Sequence, residues 1–245
     1  MLERIHEITG DLLSADEYLD DFWPNFRNID DVFWKLERIQ SFREAGEASW
    51  VAMMEGDWER SLKLIGDGRG ASNEREGFVR RRIRVVEEPV TPYLQWEMHV
   101  LALRVVTAEQ VRVLDAGEVA ELEVGRRLPE LVVLGTSVMY EVTYDASGTH
   151  NGARRIDDRD VIAACRGELD KLFSVGEDFQ AYYEREIVPL PSPRWPAAPT
   201  GSPAPIALTS DDRGPASGRR ASTAYQGRTG SPSSDPAAPP SAAGS

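Results

Sequence analysis

The chain has 245 residues, a formal net charge of −13 at pH 7 and a single cysteine, Cys165. A chain of this length can bury a large core without disulfides, and one isolated thiol is typical of a reducing compartment. No apolar run approaches the roughly 18 residues of a membrane span, and no basic flank precedes an apolar stretch at the start. We therefore expect a cytoplasmic protein with no membrane association.

The elements of the N-terminal third are the least regular. The first 30 residues indicate short helices and turns, interrupted at Pro24. VFWKLERI alternates only in part, so it is compatible with a strand or a helix. A helix is predicted over 44–55, with Gly56 as its stop. A second helical face starts at Trp58, and the glycines from Gly66 onward indicate a break.

The middle of the chain has clearer signals. FVRRRIRVV is rich in β-branched residues and predicts a strand, which ends at the proline of EEP. Thr91 can cap a helix whose first residue is Pro92. The apolar face of that helix comprises Leu94, Met98, Leu101 and Val105. A short strand, VRVL, follows at 111–114.

The last elements are strands followed by a long helix. AGEVAELEV predicts a helical turn, and LPELVVLG, SVMYEVTYD and GARRI predict three strands. Asp157 or Asp158 can cap the final helix, which Gly176 kinks or divides. Its buried stripe is predicted to be Val161, Cys165, Leu169, Leu172 and Phe173. The fold class is α+β or α/β, with a helical N-terminal region, a mixed β-sheet and a long C-terminal helix.

The composition changes near the end of this region. Eleven of the sixteen prolines lie from Leu190 onward, where large apolar residues are scarce. Such a segment cannot offset the entropy of ordering. We predict one globular domain over 1–189 and a disordered Pro/Ala/Ser/Gly-rich tail over 190–245. PSPRWP in the tail is either a docking motif for a proline-reading partner or part of a solvated extension.

The charge is concentrated in the predicted domain. The tail carries five arginines and three aspartates, so residues 1–189 carry 23 basic and 38 acidic side chains, a net charge of −15. Because neutralisation of phosphates dominates nucleic-acid affinity, a nucleic-acid partner is disfavoured.

Several segments together resemble a known family: FWKLERIQSFRE, GDWERSLKLI, RRIRVVEEPVTPYLQWE, LPELVVLG, MYEVTYD and GEDFQAYYERE. The chain resembles, from about Asp20 to Val188, an uncharacterised actinobacterial family known only as a domain of unknown function. RVVEEP followed by TPYLQWE is the most specific motif. GDGRG at 66–70 interrupts a region that is more continuously helical in such proteins. The resemblance implies no activity, cofactor or catalytic residue.

Motifs for catalysis are missing from the sequence. It contains no GxxxxGK[ST], GxGxxG after a strand, HExxH, CxxC or GxSxG pattern. The three histidines, His6, His99 and His150, fall in separate segments, so a histidine metal site or hydrolytic triad is not expected. Five tryptophans in the domain indicate either core or a ligand pocket. We predict no catalytic residue, no metal and no cofactor.

The remaining candidate site is a row of arginines. In a strand, Arg80, Arg82 and Arg84 point to one side, whereas Arg81 points to the other with Val79, Ile83 and Val85. Three neighbouring cations each require an anion. Either acidic side chains of the same chain pair with them, or they hold a phosphate or carboxylate ligand.

Two functions follow from these alternatives. The first is a non-enzymatic regulatory or protein-interaction module with a protein partner. The second is an enzyme or sensor that binds a small phosphorylated or nucleotide-like anion through the arginine row, with Glu88, Tyr93 and Glu97 nearby. The oligomeric state stays open.

Overall fold

The computed structural model describes residues 1–29, 31–67 and 77–193. Within these residues one sheet contains eight strands: β1 (Asp11–Ser14), β2 (Val32–Glu37), β3 (Val79–Val86), β4 (Gln110–Asp115), β5 (Glu130–Leu134), β6 (Val138–Tyr144), β7 (His150–Ile156) and β8 (Glu177–Asp178). Their order across the sheet is β1-β7-β6-β5-β2-β3-β4-β8. The strands β2, β3 and β4 are parallel to one another, and the other pairs are antiparallel.

The α-helices of the described residues are α1 (Ala15–Arg27), α2 (Ala48–Met54), α3 (Trp58–Asp67), α4 (Pro92–Val106), α5 (Arg159–Val175) and α6 (Phe179–Tyr182). The described residues also include two 3-10 helices, Leu2–Glu7 and Ala116–Leu122, and a π-helical turn, Tyr183–Ile187. The fold is therefore α+β, built on a mixed sheet. No helix among the described residues combines the length and the apolar character needed to cross a membrane.

One side of the sheet, here called the apolar face, is covered by α5 and both 3-10 helices. Alternate strand residues contribute Trp34, Leu36, Ile83, Val85, Leu131, Val133 and Met139 to it. Cys165 and Leu169 of α5 are buried against these residues, as predicted, and Ile162 joins them. Asp158 caps α5 by accepting hydrogen bonds from the backbone N–H groups of Asp160 and Val161. This layer is a conventional hydrophobic core.

The other side, here called the mixed face, is covered by α1 at one end and α4 at the other. Tyr18, Phe22 and Phe26 of α1 pack on β5, β6 and β7. Leu94, Met98 and Leu101 of α4 pack over β3 and β4, which confirms the predicted apolar face of that helix. The helices α2 and α3 lie against α4. Between the two apolar clusters, the centre of the mixed face is charged.

The start of α4 follows the sequence signals. The Thr91 hydroxyl accepts a hydrogen bond from the Leu94 backbone N–H at 3.1 Å, and Pro92 is the first helical residue. A proline at this position loses no helical hydrogen bond, and its fixed φ suits a helix. The cap therefore sets the position of every later residue on α4, including Glu97.

The predicted interruption at Pro24 is wrong. The helix α1 continues through Pro24 to Arg27, because its aromatic residues on both sides of the proline are buried on the sheet. A capping box between Ser14 and Glu17 also stabilises its first turn. Tertiary burial here outweighs the local cost of the proline.

Other boundaries differ in smaller ways. The helix predicted over 44–55 begins only at Ala48, and α3 passes through Gly66 to Asp67. The partly alternating VFWKLERI is a strand, β2, and the short edge strand β1 was not predicted. The rest of GDGRG, from residue 68, and the tail from residue 194 onward lie outside the described residues.

Candidate functional site

The parallel pairing of β2 and β3 builds the charged centre of the mixed face. Lys35 lies beside Arg82 in the register, and Glu37 lies beside Arg84. Because residues two apart in a strand share a face, all four side chains point toward the same layer. Both arginine side chains are almost fully buried, with 3% exposure for Arg82 and 0% for Arg84.

Arg82 is held between two carboxylates. Its Nε donates to Glu109 at 2.6 Å and its Nη1 donates to Glu37 at 2.5 Å. Although burial alone would lower the pKa of Arg82, these two anions outweigh it, so the guanidinium stays charged. Beside it, the Arg82 and Lys35 cations hold the pKa of Glu37 well below its usual range, despite the burial of that carboxyl.

Arg84 is paired with a carboxylate that the helix α4 supplies. Its Nε donates to Glu97 at 2.8 Å, and its Nη2 donates to the Ile39 backbone carbonyl at 2.8 Å. Burial raises the pKa of Glu97, and the Arg84 charge opposes that rise. For these two arginines the structure therefore shows the internal pairing that was one of the two alternatives.

The other predicted site residues are distributed unevenly. Tyr93 is buried and interacts electrostatically with Glu97 and Arg84. Arg80 is half-buried, and its Nη2 donates to the Thr107 backbone carbonyl at 3.4 Å. Glu88 is exposed and interacts electrostatically with Tyr182. The structure thus brings together Arg82, Arg84, Tyr93 and Glu97, and it separates Glu88 from them.

The acidic partners were missed by reasoning from the sequence. Glu37 and Glu109 form the ion pairs with Arg82, and both are buried at the mixed face. A signal was available for Glu37, because Lys35 and Glu37 interrupt an otherwise apolar strand at a spacing of two. Glu109 precedes its strand, and only the tertiary fold brings it to Arg82.

Two further buried carboxyls were also missed, Glu44 and Glu130. Glu130 Oε1 accepts hydrogen bonds from the backbone N–H groups of Arg38 at 2.6 Å and Ile39 at 2.5 Å. Desolvation raises the pKa of both carboxyls to about 7. They therefore change charge in the neutral pH range, unlike an exposed glutamate.

The tryptophans mostly belong to apolar clusters. Trp34 and Trp96 are buried, and Trp96 Nε1 donates to the Ser49 hydroxyl at 3.3 Å. The other three, Trp23, Trp50 and Trp58, are partly buried at the edges of clusters. These positions favour core over a ligand pocket for this group of side chains.

The histidines lie apart from one another. His99 Nδ1 is 2.7 Å from the Tyr183 hydroxyl, and burial lowers the pKa of His99. Among the residues that the structure describes, no three His, Cys, Asp or Glu side chains form a group that could hold a metal ion. The absence of a metal and of a cofactor stays a prediction.

Comparisons with known proteins give a family but no activity. A family model described as "Domain of unknown function (DUF6879)" matches residues 20–184. No curated protein matches the sequence. Among solved structures, NucT from Helicobacter pylori overlaps with a TM-score of 0.39 and 10% identity, over 69% of this chain and 98% of that chain. So low a TM-score carries no argument about this protein.

Proposed function

We propose that this chain, which belongs to the DUF6879 family, is a non-catalytic regulatory or protein-interaction module that works in the cytoplasm. In this proposal residues 1–189 form a single domain, and the Pro-rich tail is an extension of it. This function and the alternatives differ in whether the charged side chains of the most specific sequence motif pair within the protein or bind a ligand.

One observation carries the proposal: the buried charged residues of the motif RRIRVVEEPVTPYLQWE, which are Arg82, Arg84 and Glu97, pair with partners inside the protein. Arg84 and Glu97 pair with each other, although thirteen positions separate them, and thereby join β3 to α4. Arg82 joins β3 to Glu37 of β2 and to Glu109. A substrate-binding arginine would have to leave these carboxylates, at the cost of buried unpaired charges.

The internal pairing weighs against the alternative of an anion sensor. A phosphate approaching Arg82 or Arg84 would meet the carboxylates of Glu37 and Glu97, and like charges repel. The pairs are buried, so salt screens this repulsion only weakly. Arg80 is the most accessible member of the row.

Turnover assays test the proposal. Purified full-length protein is incubated with panels of hydrolase and phosphoryl-transfer substrates. We expect no turnover above a heat-inactivated sample. Turnover that persists on repurification and is abolished by Glu97→Gln, with the fold kept by circular dichroism, would overturn the proposal.

A thermal-shift assay tests the anion alternative separately. Inorganic phosphate, AMP and ATP are added at millimolar concentrations to the wild type and to Arg80→Ala. We expect no ligand-dependent rise in the melting temperature of either protein. A rise that Arg80→Ala removes would favour the anion sensor over the interaction module.

A further inference from the structure

A second group of polar residues lies on the mixed face, beside the arginine pairs. This group, here called the polar cluster, consists of Lys35, Glu37, Glu44, Glu130, Tyr144 and His150. Tyr144 interacts electrostatically with Glu130, Glu37 and Glu44, and Lys35 interacts with Glu44 and with His150. Five elements therefore contribute to it: β2, the segment before α2, and the strands β5, β6 and β7.

The polar cluster contains buried atoms without hydrogen-bond partners. Glu44 is 6% exposed and Glu130 is 5% exposed, and the Oε2 atom of each has no partner within the described part of the chain. The same holds for His150 Nε2. A buried polar atom left unpaired costs roughly 1–3 kcal/mol, so native proteins rarely keep several in one place without a use.

The exposure of the cluster changes from one side to the other. The Lys35 side chain is 18% exposed, whereas its partner Glu37 is 3% exposed. Tyr144 and His150 are also partly exposed. The Tyr144 ring packs on Phe42, with 4.6 Å between centroids. The cluster thus has an accessible, aromatic side and a buried, acidic side.

The charges of the polar cluster determine whether an anion or a cation can bind there. Glu44 is faced by Glu37 of β2, Glu97 of α4 and the nearby Glu47, with Lys35 as the opposing cation. Glu130 is faced by Glu37 and by Arg84 of β3. A further anion would be repelled by these carboxylates. Carboxylate oxygens accept hydrogen bonds, so the complementary group is a cation with several N–H donors.

We propose that the polar cluster binds a small organic amine or amidine, whose N–H groups donate to Glu44 and Glu130. The apolar part of the ligand lies against the rings of Phe42 and Tyr144, where a cation near an aromatic face gains further attraction. This site goes beyond the proposed function and is independent of it, since a ligand site is compatible with a catalytic or a non-catalytic domain.

Proton linkage supports the same assignment. Burial raises the pKa of both carboxyls to about 7. A bound cation favours their ionised forms, so binding releases protons. Affinity for the amine therefore falls as the pH decreases from about 8 to about 6, by up to tenfold per pH unit for each carboxyl that must ionise.

The test uses the purified full-length protein with putrescine, methylguanidine and benzamidine as probes. Melting temperatures and calorimetric titrations are recorded at pH 8 and pH 6. With a probe at about one hundred times its Kd, we expect the melting temperature to rise by ~5 °C or more. Glu44→Gln and Glu130→Gln should each reduce the affinity at least tenfold. Glu121→Gln, an exposed position on the other side of the sheet, is the matched control.

Every outcome of this test counts. Binding that is weaker at pH 6, reduced in both Glu44→Gln and Glu130→Gln and kept in Glu121→Gln supports the site. No shift with any of the three probes overturns it, as does a shift that a folded Glu44→Gln or Glu130→Gln variant keeps in full. Circular dichroism checks the fold of each variant. If one glutamine variant does not fold, the other variant and the pH dependence still decide. The turnover assay above has an unrelated readout, so the two proposals fail separately.

Discussion

The two faces of the sheet are made by the same strands, yet they hold very different residues. On the apolar face, Leu36 and Ile83 meet the side chains of α5 and both 3-10 helices. One residue further along each strand, Glu37 and Arg84 lie on the mixed face within a network of buried charges. On the apolar face, the removal of apolar side chains from water stabilises the fold. On the mixed face, ion pairs and hydrogen bonds must first offset the free-energy cost of removing charged groups from water.

The comparison shows that the two faces differ in the substitutions that they tolerate. An apolar face tolerates exchanges among side chains of similar volume. A buried ion pair depends on the presence of both partners, because a single remaining charge is costly. The mixed face therefore constrains which residues can stand together, and four predictions follow from that difference.

Removing one member of a buried pair should have the largest effect. In Arg84→Met the Glu97 carboxyl loses its guanidinium in a buried site, and we expect a loss of about 3–5 kcal/mol in the free energy of unfolding. In the double variant Arg84→Met/Glu97→Gln the loss should be clearly smaller. Urea titration of both variants measures this. Equal losses in both would show that the charge of Glu97 is not the cause.

A cavity on the apolar face should have the next largest effect. Leu36→Ala removes a side chain that is 0% exposed, and we expect a loss of about 3 kcal/mol. This loss should not depend on pH, since the side chain carries no charge. Urea titrations at pH 6 and pH 8 check this, with Leu36→Met as the volume-conserving control. A strongly pH-dependent loss would contradict the assignment of Leu36 to the apolar face.

The pH dependence of stability should be a property of the mixed face. Burial raises the pKa of Glu44 and Glu130 from 4.5 to about 7, so the folded protein binds these protons more tightly than the unfolded chain. Their contribution to stability is present below about pH 4.5 and is lost as the pH rises to about 7. In Glu44→Gln/Glu130→Gln we expect this decline to be smaller by about 1–3 kcal/mol in urea titrations. An unchanged decline, with Glu121→Gln as control, would exclude these carboxyls as its source.

The smallest effect is expected for the arginine on the apolar side. The Arg81 guanidinium lies 5.2 Å from the ring centroids of Trp34 and Phe173, and it pairs with Asp170 at 2.8 Å. Its side chain is 30% exposed, so water can replace the lost contacts. Arg81→Ala should therefore lower the free energy of unfolding by about 1 kcal/mol or less. A loss as large as that of Arg84→Met would remove the distinction between the two faces.

Sequence patterns predicted the local elements better than their partners. The strand β3, the cap at Thr91 and the apolar side of α4 follow from signals within a few residues. The alternation in β3 also placed Arg82 and Arg84 on one side of the strand. These features are local, so the residues that decide them are close in the sequence.

The partners of the arginines depend on contacts that no local pattern contains. Arg82 meets Glu37 across forty-five positions, and Glu109 across twenty-seven. In a chain with 41 acidic residues, the sequence offers many equivalent candidates for each pair. Pro24 was misjudged for a related reason, because the burial that keeps α1 continuous comes from the sheet. Contacts between residues that are distant in the sequence therefore determine both the partners of the arginines and the continuity of α1 at Pro24.

The strand β1 has a practical consequence for anyone who prepares a shorter recombinant fragment. The family match starts at residue 20, yet β1 pairs with residues 152–155 of β7, and Leu2 and Ile5 of the preceding 3-10 helix are buried in the core. A fragment cut at residue 20 would leave β7 as an open edge with unpaired backbone groups, a surface prone to edge-to-edge aggregation. The unit to express is therefore wider than the region that matches the family model, and it should retain the first nineteen residues.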